Sequence, residues 1–378
     1  MSDLLYSDVE DQLRASVRDL LENKAPWSSV LARTETDEPY DRTLWTSLAR
    51  DTGVAGLAIP ESAGGHGGSW REVAVVAEEL GRSVAGTPFL GSAVLSTALA
   101  LSAGADGLLA ELAAGTTTAT LAVPLSMMCG AAFPSSIRFD GSGRLEGSVR
   151  FDGSAVSGDV RSVADASGAD LLLVPAVGDD GPVIVAVSAG DATHQPVVCL
   201  DLTRPLTDLA FAGSPATVLA SGDAAVAALQ AALTAGAIVL AAEQVGLAEG
   251  CLTMSVEYLK TRYQFGRPIG SFQALKHRAA DLWSAITQAR AVARYAADCL
   301  ATGDPDTAIA AALAQAYCSP VAVKAAEECL QLHGGIGFTW EHPAHLYLKR
   351  AKADAIALGT ASRHRAHLAT LVDLPAAG

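Results

Sequence analysis

Arg262-Tyr263-Gln264-Phe265-Gly266-Arg267-Pro268-Ile269-Gly270-Ser271-Phe272-Gln273, read with Gln331-Leu332-His333-Gly334-Gly335-Ile336-Gly337-Phe338, decides how this chain folds. Each stretch joins two helix-patterned segments. Each sets a cation or an amide beside glycines, which let backbone come close to a ligand where a Cβ would collide. Farther on, Ala357-Leu358-Gly359-Thr360 carries no ionisable side chain.

Outward from these stretches the period of the sequence changes twice. From Asp223, a good N-cap residue, the pattern is helical almost to the end. Before it, from 119 to about 220, short β-like runs stand between Gly/Asp/Ser turns: Thr120–Val123, Leu145–Phe151, Leu171–Pro175, Val183–Val187 and Leu209–Phe211. Residues 5 to about 118 are again helical in period, at Val9–Leu21, Leu44–Ala49 and Val73–Leu80. Between them Gly64-Gly65-His66-Gly67-Gly68 reads as a turn, since no strand precedes it and no Lys-Ser/Thr follows. The expectation is an α+β chain: an N-terminal helical domain over 1–118, a middle β-domain over 119–220 and a C-terminal helical bundle over 221–378. No repeat at a fixed period is apparent.

The chain has 378 residues, half of them apolar and 18% charged, enough for a large core split into two or three subdomains. Its net charge of −15 argues against nucleic acid and against anionic membrane surfaces, which need a basic footprint. Local arginines can still hold phosphate inside an acidic protein. Six cysteines lie scattered without a CxxC and read as small buried hydrophobes in a reducing compartment. The acidic start, Met-Ser-Asp-Leu-Leu-Tyr-Ser-Asp, has no basic n-region, so a cytoplasmic location is expected. Ala224–Ala242, interrupted by Gln230, Thr234 and Gly236, reads as an Ala-rich helix rather than a membrane span.

The two C-terminal stretches, in this order and spacing, resemble the signatures of the acyl-CoA dehydrogenase family. Gly56-Leu57-Ala58-Ile59-Pro60-Glu61, then Glu78-Glu79-Leu80-Gly81-Arg82, is similar to that family's N-terminal domain, and Asp201-Leu202-Thr203-Arg204 is similar to part of its middle domain. The resemblance implies an acyl-CoA substrate and FAD. Arg262 would give two charge-assisted bonds to the pyrophosphate, and Phe265 would pack on the adenine. Gln331, Gly334 and Gly335 would take the other side. In the family these two elements come from different subunits of a dimer, so FAD would be shared across an interface.

The departures from the family pattern carry as much information. Members abstract the α-proton with a glutamate while the flavin accepts the β-hydrogen as hydride. The usual glutamate position corresponds here to Leu358, and a second position used by some members corresponds to Gly236, with Ala237 beside it. Neither takes a proton, so the catalytic residue is unassigned. Glu243 lies seven residues after Gly236, about 10 Å along a helix on the same face. Where the family has a flavin-ring loop and a Trp-Ile-Thr run, this chain reads Ala122-Val123-Pro124-Leu125-Ser126-Met127-Met128-Cys129-Gly130 and Ser148-Val149-Arg150-Phe151.

The resemblance therefore implies the non-catalytic partner of a hetero-oligomeric acyl-CoA dehydrogenase, acting on fatty or steroid acyl-CoA. Two other readings stand beside it: a homo-oligomeric enzyme using Glu243 as base, and a flavin-free acyl-CoA binding or scaffold protein. The His pairs at His342/His345 and His364/His367 lack a third ligand, so no metal is expected. Lys349, Arg350 and Lys352 read as a solvated basic face.

Overall fold

The computed structural model describes residues 4–36, 38, 40–134, 138–139, 145–146 and 149–374; Ser148, one of the residues compared with the flavin-ring run, lies outside them. In chain order come helices, then a sheet, then helices, the arrangement the sequence implies. The chain forms two compact units, one of residues 1–36, 70–85 and 237–378, the other of residues 37–69 and 86–236.

The first unit is helical. Its opening helix, Asp8–Lys24, starts on a capping box in which Ser7 and Glu10 satisfy each other's backbone. The Glu10 carboxylate is buried, and it draws in Arg71 at 3.2 Å and Arg294 at 2.6 Å. Helix Trp70–Ser83 crosses the long helix Asp223–Thr261 backbone to backbone. A Cβ at Gly81 would run into the Glu243 carbonyl, and one at Gly246 into that of Glu78. Helices Gln273–Thr302 and Thr307–His333 pack on each other, and both bury alanines, Ala293 and Ala296 on the first and Ala311 and Ala322 on the second. Small side chains set that separation, which is why an Ala-rich sequence still builds a dense core.

The second unit holds an eight-stranded sheet. Its order is Thr217–Ser221, Gly181–Ser188, Leu171–Gly178, Val149–Phe151, Ala155–Ala164, Leu206–Pro215 and Thr193–Val197, with Ala119–Leu121 pairing parallel to Leu171–Gly178. Leu172, Val174, Val185, Leu209 and Phe211 form its core. Helical turns run from Phe89 to Ala103 beside it, entering as π-helix. The Gly65 turn is tight, since a Cβ there would overlap the Ile59 carbonyl.

Two helices, Asp223–Thr261 and Thr307–Phe338, are long and apolar enough to cross a membrane. Both bury most of that apolar stretch within the chain, 67% and 56%, as core helices do. Five of the six cysteines are buried thiols and Cys199 is half-buried, in keeping with their reading as small hydrophobes.

Candidate cofactor-adenosine site

Arg262 follows the end of the long helix, its N–H bonding the Tyr258 carbonyl at 2.9 Å. Beyond it the chain makes a two-residue β-hairpin, with Tyr263 opposite Pro268 and Gln264 opposite Arg267. The loop residues are Phe265 at φ 55° and Gly266 at φ 74°. Two positive φ values are what a type I′ turn requires, and the first position normally goes to Asn, Asp or Gly. Phe265 takes it instead and is 90% exposed. Its ring meets Phe272 edge-on at 6.0 Å, and the Arg267 guanidinium lies 3.9 Å from the Phe272 centroid.

Gln331 lies near the end of helix Thr307–His333, which stops where Gly334 turns to φ 59°, ψ −137°. That backbone region is open to glycine almost alone. Gly335 differs: its φ is ordinary and a Cβ would meet open space. Nothing packed within 4 Å in this chain calls for glycine there. Tyr258 and His333 join the two signatures, their rings 4.6 Å apart. Arg262, Phe265, Gln331, Gly334 and Gly335 thus belong to neighbouring segments, and all five are exposed. Among the described residues the Arg262 guanidinium has no ion pair.

His333 was not singled out in the sequence beyond its place in the signature. It is buried between Tyr258 and His342, whose ring lies 4.2 Å away. Its Nδ1–H donates to the Cys329 carbonyl at 2.7 Å, with the Cys329 Sγ at 3.6 Å. A histidine two residues after an exposed glutamine, at a helix end, was the signal available for it.

The positions of the expected bases are apolar in the structure as in the sequence. Leu358 is buried at φ 52°, and its carbonyl accepts a hydrogen bond from His364 Nε2 at 2.9 Å. Gly236 is a buried residue inside the long helix. Glu243 is 4% exposed and bonded to Arg350 at 2.6 Å. That contact corrects the reading of Lys349, Arg350 and Lys352 as a solvated face. Arg350 is 2% exposed and lies in the core, because Glu243 in an otherwise apolar helix needs a buried cation. Lys349 lies over the Trp340 ring at 4.3 Å, and Lys352 pairs with Glu327 at 2.6 Å. In the loop that replaces the flavin-ring motif, Met128 and Cys129 are buried, and Gly130 N–H donates to Gln230 at 2.7 Å. Among the described residues no group of His, Cys, Asp and Glu is placed to hold a metal ion.

Two family models match this sequence: the acyl-CoA dehydrogenase N-terminal domain over residues 7–121 and the acyl-CoA dehydrogenase C-terminal domain over residues 226–372. The chain belongs to the acyl-CoA dehydrogenase family. It is 37% identical over 350 residues to acyl-CoA dehydrogenase IpdE2 of Mycobacterium tuberculosis, covering 91% of each chain. Among solved structures it is similar to the ChsE4-ChsE5 complex from Mycobacterium tuberculosis, with TM-score 0.85, 27% identity and all of both chains covered. It is also similar to a variant of the Tcur3481-Tcur3483 steroid ACAD, with TM-score 0.82, 30% identity and coverage of 97% and 98%.

Proposed function

We propose that this chain is the non-catalytic partner in a hetero-oligomeric, FAD-dependent acyl-CoA dehydrogenase. The observation that carries this reading is a split within one chain. Residues suited to the adenosine end of FAD are gathered and exposed, while the base position holds a buried leucine. An unpaired guanidinium, an aromatic ring held out on a strained turn and open space over Gly334 and Gly335 fit a pyrophosphate and a purine. Arg262 would hold the pyrophosphate, Phe265 would stack on the adenine, and Gln331 with the Gly334–Gly335 backbone would close the other side. FAD, when bound, supplies the hydride acceptor. The acyl-CoA thioester would be oxidised on a second family member carrying the glutamate and the flavin-ring loop.

The similarity to the ChsE4-ChsE5 complex and to the Tcur3481-Tcur3483 steroid ACAD supports a pair of unlike subunits and a steroid or fatty acyl group. Glu243, the base of the homo-oligomeric reading, is held by Arg350 and has no free carboxylate to offer. The test is acyl-CoA oxidation with an artificial electron acceptor. The purified chain should show no turnover, and the chain co-purified with a glutamate-bearing family member should show it. Robust turnover by the chain alone would refute the proposal.

A further inference from the structure

A cavity of about 520 Å³ opens within the helical unit, in the size range of small-molecule sites. None of Arg262, Phe265, Gln331, Gly334 or Gly335 lines it. We propose that it binds a monocarboxylic acid with an apolar body, the carboxylate held by Arg82.

Leu21, Ala25, Trp27, Met254, Pro343 and the ring of Tyr347 make its apolar wall, with Glu79, Ser83 and Thr253 beside them. Two arginines line it, and their states differ. Arg18 is committed, with both nitrogens on Glu79 at 2.8 and 2.7 Å. Arg82 is half-buried, and among the described residues its guanidinium has neither an ion pair nor a hydrogen bond. A half-desolvated cation beside an apolar cavity is costly unless an anion joins it. Among the described residues no carboxylate pairs with it, although Glu22 and Glu341 lie on the same cavity.

His342 also lines the cavity. Its Nδ1 accepts from the Ala344 N–H at 3.3 Å, which leaves the ring proton on Nε2. Burial, and then the neighbouring His333 and His345, push its pKa down to about 4, so at neutral pH it lines the cavity as an uncharged ring. Tyr347 competes for no ligand, because its hydroxyl donates to the Arg82 carbonyl at 2.6 Å. Glu22 and Glu341 also line the cavity and are exposed. They repel a second negative charge, so the site favours a monoanion over a dicarboxylate. Apolar walls, one unmatched cation and acidic edges together describe the free acid of an acyl chain.

The test is isothermal titration of the full chain with decanoate, decanol and decanedioate. Decanoate should bind saturably at one per chain, with decanol and decanedioate each at least tenfold weaker. Arg82→Gln should weaken decanoate about tenfold or more and leave decanol unchanged, and Arg82→Lys should restore part of the loss. Met254→Trp, which fills the cavity, should abolish binding of both. Decanoate binding that survives Met254→Trp overturns the site, and equal affinity for decanoate in wild type and a folded Arg82→Gln overturns the carboxylate assignment. Absence of decanoate binding to the folded wild type up to millimolar concentration overturns it as well. If Arg82→Gln fails to fold by circular dichroism, Met254→Trp and the decanol ratio decide.

Discussion

Phe265 holds a backbone conformation that costs a non-glycine residue of order 1–3 kcal/mol, and it exposes its ring at the same time. Both costs fall on the isolated chain, and a group stacking on that ring would offset them. Phe265→Asn should therefore raise the melting temperature of the chain alone by a few degrees, at about 2–4 °C per kcal/mol. It should also lower flavin retention in the assembled protein. A fall in melting temperature would show that the ring serves this chain's own packing. Glu243 is the opposite case, a residue whose worth is internal. Glu243→Gln removes a carboxylate from the buried Arg350, a charge-assisted contact of roughly 1.5–3 kcal/mol, so calorimetry should show a lower melting temperature. Unchanged stability with loss of a measurable turnover would make it a base after all. This pair was half-legible: a lone carboxylate amid Leu240-Ala241-Ala242 signals a buried cation, but its partner lay 107 residues away in a run that reads as solvated.

At the scale of elements, the first helix is pinned by a carboxylate rather than by apolar burial alone. Burial works to raise the pKa of Glu10, but hydrogen bonds from Arg294 and Arg71 and from the Ser7 backbone outweigh it and lower it to about 2. A depressed folded-state value means stability that is fully present above the ordinary value of 4.5 and is lost as pH falls from there toward about 2. Denaturant titrations across that window should show steep acid destabilisation in wild type and a flatter profile in Glu10→Gln; matching profiles would contradict the pinning. Strands with continuous apolar runs, such as Leu171–Gly178 and Gly181–Ser188, were legible because both faces are covered. Ala155–Ala164 was not, because Gly158, Asp159 and Arg161 break the alternation and Ser162, at φ 56°, sits where the register with Leu206–Pro215 shifts. The helical run from Phe89 was obscured in the same way, by Gly91 and a preceding proline. The two signatures were legible as motifs, but their adjacency was not, since Tyr258 and His333 are 75 residues apart and the period of neither helix reports which faces meet.

On the scale of the whole molecule, the proposed function has the chain keep one end of a cofactor site and lack the other. On the proposed function, what the exposed Arg262, Phe265 and Gln331 meet is supplied by another chain and a ligand. Removing the Arg262 guanidinium takes away a charged bidentate contact of roughly 1.5–3 kcal/mol, about ten- to a hundredfold in affinity. Arg262→Ala should bleach the assembled protein of flavin and leave its native mass unchanged. The most direct measurement is the ratio of flavin absorbance to protein, taken on the chain alone, on its complex with a glutamate-bearing family member, and on the Arg262→Ala complex. The account predicts no stoichiometric flavin on the chain alone, one flavin for every two chains in the complex, and its loss in the variant. Full flavin on the chain alone, or a variant complex that keeps its flavin, would contradict it.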